Sequence, residues 1–231
     1  MADIHSNIVA LEAVFDHVED HFDNIDYIIT VGDYVGYGPF PNEVLEIAKK
    51  KFDVVCLGNH DLACAMGNAD GFSSMGRPAA LWTNEVLTTE NKTYLSLLRE
   101  TVKFHVFPGW EFCACHGTPN DCVSEYLRVN RTEEEKEGYL EKAAADILLC
   151  GHTHVPMYWK GKRGYIINPG SIGQPRDGDP RASCCILELT ENVHDHEYIP
   201  IRVTYNIREV AKEILKNDLP HQLSERLIFG I

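Results

Sequence analysis

Polar side chains that can bind metal ions follow several apolar segments of this chain, at the point where each segment ends. His152 and His154 stand two residues apart, directly after the apolar run 147–150. Residues with that spacing in an extended chain point to the same side. Either histidine could be incidental in isolation, but the arrangement recurs along the sequence. The complete set is Asp3, His5, Asp33, Asn59, His116, His152 and His154.

Carboxylate, imidazole and amide groups together suit divalent metals of borderline to hard character, such as Mn, Fe or Zn. No cysteine stands at these positions, which argues against a structural zinc site built from thiolates. Seven ligands exceed the needs of one ion and suit two ions that share a bridging carboxylate. Such a pair clamps a phosphoryl group and makes hydroxide available near neutral pH. We therefore predict a centre with two divalent metal ions that acts on phosphate.

The net charge narrows the class of substrate. The chain carries 21 Lys and Arg against 35 Asp and Glu, a formal charge of −14. Proteins that bind nucleic acids rely on positive side chains to neutralise phosphates, so a nucleic acid is not an expected partner. Two divalent cations set against two aspartates would supply the local positive charge that a phosphate needs. The expected partner is a small phosphorylated compound.

Strands and helices that could position these ligands alternate along the chain. The residue pattern predicts strands at 27–31, 53–57, 102–106, 110–115, 147–150, 157–159, 165–167, 183–189 and 197–205. Helices are predicted after a cap at Ser6 or Asn7, at 43–51, in a cap-like segment at about 62–100, from 133 to 145, at 207–216 and at 221–229. This alternation indicates an α/β fold.

Length and composition favour one domain over residues 1–231. No apolar run approaches the roughly 20 residues that span a bilayer, and no signal-peptide pattern is present, so no membrane is expected. The eight cysteines have no regular spacing, which favours a reduced, cytoplasmic protein. His194 and His196 form a further pair, but no apolar strand precedes them, and we expect an exposed hairpin there.

The ordered series D-x-H, G-D-x-x-G, G-N-H-D, H-G and G-H-x-H resembles the calcineurin-like metallophosphoesterase superfamily. The stretches G-Y-G-P-x-P-N-E-V and N-P-G-S-x-G-Q-P-R-x-G-D-P-R-A also resemble its YfcE-like branch of small phosphoesterases. The resemblance covers nearly the whole chain. It implies a four-layer α/β/β/α sandwich, in which two mixed β-sheets are flanked by helices and the site lies at the carboxyl ends of the strands.

The resemblance also implies roles for individual residues. One metal would be held by Asp3, His5, Asp33 and His154, and the other by Asp33, Asn59, His116 and His152. A metal-bridging hydroxide would attack phosphorus in line, and His60 would protonate the leaving oxygen. Asp61 is expected either to orient His60 or to cap the following helix. Arg176 and Arg181 are candidates for gripping the substrate phosphate.

The sequence departs from the family pattern in two places. Ser/Thr phosphatases of the superfamily carry G-D-x-V-D-R-G, whereas this chain has Gly36 and Tyr37 in place of the second Asp and the Arg. A dedicated phosphoprotein phosphatase is therefore disfavoured. Family members also have an apolar strand before D-x-H, which this chain lacks. Either the start is truncated, or the first sheet has a gap that leaves Asp3 and His5 poorly anchored.

The favoured function is a dinuclear metal-dependent phosphoesterase that hydrolyses phosphomono- or diester bonds of small compounds. A specialised dinucleoside tetraphosphate hydrolase is the alternative within the enzymes. A binding scaffold that keeps the fold with weak catalysis is the alternative of another class, and a nuclease is disfavoured by the net charge. A homo-oligomer is compatible with the sequence.

Overall fold

The structure is a computed structural model that describes residues 1–106, 109–192 and 195–231. The helices are α1 (Ile8–His21), α2 (Pro41–Lys51), α3 (Asn59–Met66), α4 (Gly76–Val86), α5 (Thr89–Ser96), α6 (Glu133–Ala143), α7 (Ile207–Lys216) and α8 (His221–Phe229). The strands are β1 (Ile29–Thr30), β2 (Val54–Val55), β3 (Thr101–His105), β4 (Glu111–Cys115), β5 (Ile147–Leu149), β6 (Met157–Lys160), β7 (Tyr165–Asn168), β8 (Ala182–Leu189) and β9 (His196–Val203).

The strands form two layers. One layer is a mixed five-stranded sheet in the order β3-β4-β5-β7-β6, in which β4, β5 and β7 are parallel to one another. The other layer consists of two separate pairs, the parallel pair β1-β2 and the antiparallel pair β8-β9. The mixed α/β architecture with layered sheets confirms the predicted sandwich fold.

Three apolar clusters hold the layers together. Side chains alternate between the two faces of a strand, so Ile147 and Leu149 of β5 pack between the sheets, whereas Leu148 packs against the opposite face with Leu140 of α6. The largest cluster lies between the paired strands and most of the remaining helices, with Leu11 of α1 as a fully buried member. The burial of both faces explains why the central strands are continuously apolar.

Side chains cap the first turns of two helices. Asn7 caps α1, since its side chain accepts a hydrogen bond from the backbone N–H of Ala10 at 3.1 Å. Thr132 and Glu135 form a capping box at the start of α6. The helical segment predicted to start at residue 62 begins earlier, with α3 at Asn59. The strands predicted at 27–31 and 53–57 shorten to two residues each, because β1 and β2 pair only at 29–30 and 54–55.

The layer formed by the two strand pairs is interrupted between β1 and β8. No strand forms within residues 1–28, and a largely apolar cleft of about 460 Å³ opens between Ile29 on one side and Leu187 on the other. Met1 lines this cleft and is bonded to the strand beside it. The Met1 ammonium group donates to the carbonyl of Ile29 at 2.9 Å, and the Met1 carbonyl accepts from the N–H of Val31 at 3.1 Å.

The expectation that a gap would leave Asp3 and His5 loosely held is wrong. The backbone N–H of Asp3 donates to Gly32, and that of His5 donates to Asp33. The Asp3 carbonyl also accepts from the N–H of Gly173 and from the hydroxyl of Ser171. Both side chains are fully buried. Backbone hydrogen bonds on both sides of this short segment therefore replace the anchoring that a strand would provide.

Other expectations concern the membrane, the thiols and the second histidine pair. Across the three described ranges, no helix is both long enough and apolar enough to span a bilayer. All eight cysteines are free thiols. His196 opens β9 and pairs with Leu189 of β8, so it lies in the predicted hairpin; it is half-buried there, and its Nε2 lies 3.0 Å from the hydroxyl of Tyr158. His194 lies outside the described residues.

Candidate metal centre

Every predicted ligand follows a strand or an extended segment. Asp33 follows β1, Asn59 begins the helix after β2, and His116 follows β4. His152 and His154 follow β5. Because these strands end at the same edge of the two layers, the chain brings all seven predicted ligands together at that edge. The only described part of this arrangement without a strand is the segment that carries Asp3 and His5.

The backbone is strained where it presents these side chains. Five of the seven residues have φ in the left-handed region: Asp3 (52°), His5 (47°), Asp33 (55°), His152 (65°) and His154 (58°). Residues other than glycine pay about 1 kcal/mol or more each for this conformation. Close approach is also required, because a Cβ atom at Gly58 would overlap the Asp33 carboxylate. Strain concentrated at these positions is typical of a functional site.

A backbone carbonyl fixes the orientation of each of the four predicted histidine ligands. Nδ1 lies within hydrogen-bond distance of a carbonyl oxygen in His5 (Val35, 3.0 Å), His116 (Val31, 2.8 Å) and His154 (Gln174, 2.6 Å), and in His152 it is Nε2 that does so (Ser124, 3.0 Å). A carbonyl can only accept, so these nitrogens carry the protons. In a neutral ring the other nitrogen then offers a lone pair, as metal ligands with such partners do.

The free nitrogens converge in two clusters that share Asp33. In the first, Nε2 of His5 lies 3.1 Å from Nε2 of His154, which lies 3.3 Å from Oδ1 of Asp3. In the second, Nε2 of His116 lies 3.1 Å from Nδ1 of His152. The described residues thus contain two groups of potential metal ligands, Asp3-His5-Asp33-His154 and Asp33-His116-His152.

The Asp33 carboxylate joins the two clusters. Its Oδ2 atom lies 3.6 Å from Nε2 of His5 and 3.2 Å from Nε2 of His116. Oδ2 is buried without a hydrogen-bond partner of its own, whereas Oδ1 accepts from the N–H of His60 at 2.8 Å. Oδ1 of Asn59 completes the second cluster, 3.1 Å from Nε2 of His116. An unpaired buried carboxylate oxygen between imidazoles suits a cation.

Burial and neighbouring charges give the four histidine ligands different protonation states. Burial lowers the pKa of His152 to about 3 and that of His5 and His154 well below the usual range, so these rings are neutral at pH 7. Burial also opposes protonation of His116, but the Asp33 and Asp3 carboxylates outweigh it and raise its pKa to about 9. In the absence of a metal, His116 is therefore charged, and it takes the place of a cation beside Oδ2 of Asp33, 3.2 Å away.

Metal binding at pH 7 is therefore expected to release between one and two protons per chain, because a coordinated His116 must lose the proton that it holds below a pKa of about 9, and Asp3, whose pKa burial raises to about 7, is partly protonated. The apparent metal affinity should rise with pH across the neutral range and level off above pH 9. Calorimetric titration with Mn²⁺ in buffers of different ionisation enthalpy measures the proton count. A count near zero at pH 7 would contradict this protonation state.

His60 lies beside the clusters without joining them. It is 5% exposed, and its Nδ1 is buried without a partner. Its ring contacts those of His5, Tyr37 and Phe72, with centroids 4.9, 4.3 and 4.6 Å away. Burial lowers the pKa of His60 to about 4, so the ring is neutral in the free protein. The structure places this histidine where it can contact a group bound at the centre.

Asp61 supports the loop of Asp33. Its carboxylate accepts from the backbone N–H groups of Asp33 (2.8 Å), Tyr34 (2.8 Å), Val35 (3.2 Å) and Gly58 (3.0 Å). The bond from Gly58 is the helix cap considered in the sequence analysis. No described contact joins this carboxylate to the imidazole of His60, so the structure assigns Asp61 to the loop of Asp33 and to the cap of α3.

The two candidate arginines have different surroundings. Arg176 lies at the centre: its guanidinium donates to the hydroxyl of Tyr37 at 3.3 Å and to Oε1 of Gln174 at 3.1 Å, and its Nε is buried without a partner. Arg181 is not brought there. It forms a half-exposed ion pair with Asp179, with Nη2 2.6 Å from Oδ2, because the two residues lie in one turn of the loop before β8.

Sequence reasoning missed three aromatic residues at the site. Tyr37 contacts both His5 and His60, with ring centroids 4.7 and 4.3 Å away. Phe72 covers His60, and the ring of Tyr126 stacks on His152 at 3.8 Å. Tyr37 lies within a Gly-rich stretch that the sequence analysis had singled out. Phe72 and Tyr126 belong to segments between regular elements and carried no local signal.

Known proteins are similar to this chain in sequence and in fold. A family model described as the calcineurin-like phosphoesterase superfamily domain matches residues 1–192. The uncharacterized protein MJ0912 of Methanocaldococcus jannaschii is 32% identical over 247 aligned positions, which cover 100% of this chain and 96% of that protein.

Two solved structures extend the comparison. A metallophosphoesterase from Sphaerobacter thermophilus is 31% identical with a TM-score of 0.82, and hypothetical protein PH1004 from Pyrococcus horikoshii OT3 is 22% identical with a TM-score of 0.88. Each alignment covers 100% of this chain and 97% of the other. The second shows the fold alone. The family model and the relatives above 30% identity together show that this chain belongs to the calcineurin-like phosphoesterase superfamily.

Proposed function

We propose that this protein is a phosphoesterase that uses two divalent metal ions to hydrolyse phosphomono- or diester bonds of small phosphorylated compounds. One metal would be held by Asp3, His5, Asp33 and His154, and the other by Asp33, Asn59, His116 and His152. Manganese, iron or zinc would suit these nitrogen and oxygen donors. When bound, the ions would supply Lewis-acid stabilisation of the phosphoryl group and lower the pKa of water.

One observation carries the proposal. Nε2 of His5 and Nε2 of His154 face each other at 3.1 Å, and the Nδ1 protons of both rings are committed to backbone carbonyls. Two neutral imidazoles in this arrangement direct lone pairs at each other, and their lowered pKa values disfavour a proton between them. A bound cation would remove the repulsion between the two lone pairs. The donor set therefore fits a metal ion on chemical grounds.

The surrounding residues fit a phosphate ester. Arg176 is a positive charge beside the first cluster in a protein of net charge −14, and arginine binds phosphate oxygens in a bidentate manner. His60 would protonate the leaving oxygen once an anionic substrate beside it favours the charged ring. Tyr37 and Phe72 would exclude water from the ring of His60. Asp61 would hold the Asp33 loop in place.

The direct test is hydrolysis by the purified chain loaded with Mn²⁺, Fe²⁺ or Zn²⁺. We expect release of p-nitrophenol from p-nitrophenyl phosphate or bis-p-nitrophenyl phosphate, and loss of activity with a chelator. Diadenosine tetraphosphate in the same panel tests the more specialised hydrolase. Full metal occupancy without hydrolysis of any of these compounds would instead support a binding scaffold.

Removal of Arg176 should weaken substrate use more than removal of Arg181. We expect Arg176→Ala to lower kcat/KM for p-nitrophenyl phosphate by roughly 10- to 100-fold, the size of a lost charge-assisted hydrogen bond. Arg181→Ala is the matched control, because that guanidinium is already paired with Asp179. Steady-state kinetics with both variants measures the difference. Equal losses in the two variants would contradict the assignment of Arg176.

A further inference from the structure

An exposed stack of side chains extends outward from the second cluster. The ring of Tyr126 lies parallel to that of His152, with centroids 3.8 Å apart and planes inclined by 20°. The guanidinium carbon of Arg128 lies over the ring of Tyr126, 5.0 Å from its centroid. Tyr126 is 37% exposed, and Arg128 is also exposed. The stack is therefore accessible to a molecule bound at the centre.

The segment that carries this stack is firmly held. Leu127, between the two residues, is 1% exposed, and the neighbouring Glu125 accepts from the hydroxyl of Tyr139 at 2.8 Å. Alternate side chains of an extended segment point to opposite sides. Exposure follows this alternation, because Leu127 is buried and Glu125 half-buried, whereas residues 126 and 128 are exposed. Packing of the neighbouring side chains therefore fixes the position of the stack.

Arg128 is a cation without a carboxylate partner in the part of the chain that the structure describes. Arg131, three residues further on, pairs with both Glu125 and Glu135. An exposed unpaired arginine is notable in a chain with 35 acidic and 21 basic residues. The contact with Tyr126 is a cation–π interaction, which restricts the guanidinium before any ligand binds. Restriction of this kind lowers the entropy cost of binding.

Tyr126 links Arg128 to the centre: the guanidinium contacts the ring of Tyr126, that ring contacts His152, and no described contact joins Arg128 itself to a ligand of either cluster. Arg176 serves the phosphoryl group from the side of the first cluster, where its backbone N–H donates to the carbonyl of His154. The two arginines therefore flank the centre next to different clusters. A ligand that reaches both must carry a second anionic group beyond the scissile bond.

We infer that Arg128, held over Tyr126, binds a second phosphate group of the substrate, so that the preferred substrates are small compounds with two phosphate groups. A guanidinium matches the geometry of phosphate oxygens and makes paired hydrogen bonds with them. This inference rests on the proposed phosphoesterase function and names the substrate class for the same site. Arg128 and Tyr126 are specificity and positioning residues here and do not touch the reacting atoms.

The test compares two matched probes, glucose 6-phosphate and glucose 1,6-bisphosphate, with the manganese-loaded protein. We expect the wild type to prefer the bisphosphate. Arg128→Ala should lower kcat/KM for the bisphosphate roughly tenfold, as for a partly exposed charge-assisted contact, and leave the monophosphate unchanged. Tyr126→Phe should behave as wild type, and Tyr126→Ala should lose part of the preference. Arg163→Ala is the charge-matched control, because Arg163 is exposed and its nearest carboxylate partner is Glu141 at 3.9 Å.

Metal content is measured for every variant, so that a disturbed His152 is recognised. Equal kcat/KM values of the Arg128→Ala variant and the wild type for the bisphosphate, or an equal loss for both probes, would overturn the inference. Calorimetry on proteins that also carry His60→Ala measures the dissociation constants of both probes while hydrolysis is suppressed. These constants test the second phosphate site separately from the proposed function. If no substrate is hydrolysed but binding of the bisphosphate still depends on Arg128, the proposed function fails and the second phosphate site stands. If binding of the two probes does not differ, the site fails.

Discussion

Replacement of Asp33 by alanine is expected to cost at least about 100-fold in metal affinity and to abolish phosphoesterase activity. Even residues that only support a metal ligand typically contribute 10- to 100-fold to affinity, and a bridging ligand contributes to both sites. Oδ2 of Asp33 lies between His5 and His116 with no other partner. Its loss leaves the two groups of imidazoles without the negative charge that they share.

Elemental analysis after incubation with Mn²⁺ and desalting measures the change, and circular dichroism checks the fold. Asp33→Asn separates charge from shape, because it keeps an oxygen that can accept from the N–H of His60. We expect it to bind metal more weakly than the wild type but to remain folded. Asp70→Ala, at an exposed aspartate paired with Arg77, is the control. Full metal content in Asp33→Ala would show that the carboxylate does not bridge.

The second large effect concerns His60. We expect His60→Ala to lower kcat by roughly 10²- to 10⁴-fold, the usual contribution of a general acid, with nearly unchanged metal content. Its ring is adjacent to the clusters, but the convergent nitrogens belong to other residues. Because the pKa of His60 is about 4 in the free protein, the ring must gain its proton in the substrate complex, where a phosphate anion raises that pKa.

Kinetics and metal content must be measured on the same preparations. His105→Ala is the control, since His105 is exposed and pairs with Glu111, its cross-strand neighbour on β4. If His60 acts as a general acid, kcat of the wild type should fall at high pH, and this fall should be absent from the pH profile of His60→Ala. If His60→Ala and Asp33→Ala lose metal to the same extent, the division between a ligand and a proton donor is wrong.

Five of the seven ligand positions could be predicted because they follow recognisable apolar strands, and strand ends of parallel sheets meet at one edge. His116 is the clearest example: β4 is buried at Phe112 through Cys115, and the ligand is the next residue. The pairing of His5 with His154 could not be predicted, because it depends on contacts 149 residues apart. The sequence indicates that ligands gather at one edge but carries no information on which nitrogens face each other.

Other parts of the site were beyond sequence reasoning for physical reasons. Arg176 and Arg181 stand five residues apart in one loop. Only the geometry of the turn determines that Asp179 forms an ion pair with Arg181. The backbone hydrogen bonds that anchor Asp3 are made with Gly32 and Gly173, which come from distant parts of the chain. The stack of Tyr126 on His152 belongs to a segment without periodic pattern. Such features arise from tertiary packing and leave no local pattern.

The left-handed backbone at five of the predicted ligands has a consequence for how the site can be altered. Asp, Asn and His occupy this conformation several-fold more often than other residues apart from glycine. A ligand swap at His152 or His154 would therefore keep stability best with Asn or Asp, whereas a branched side chain would add backbone strain to the loss of a donor. The backbone thus narrows the repertoire of replacements to nitrogen and oxygen donors. Re-engineering toward thiolate coordination would have to begin by rebuilding these turns.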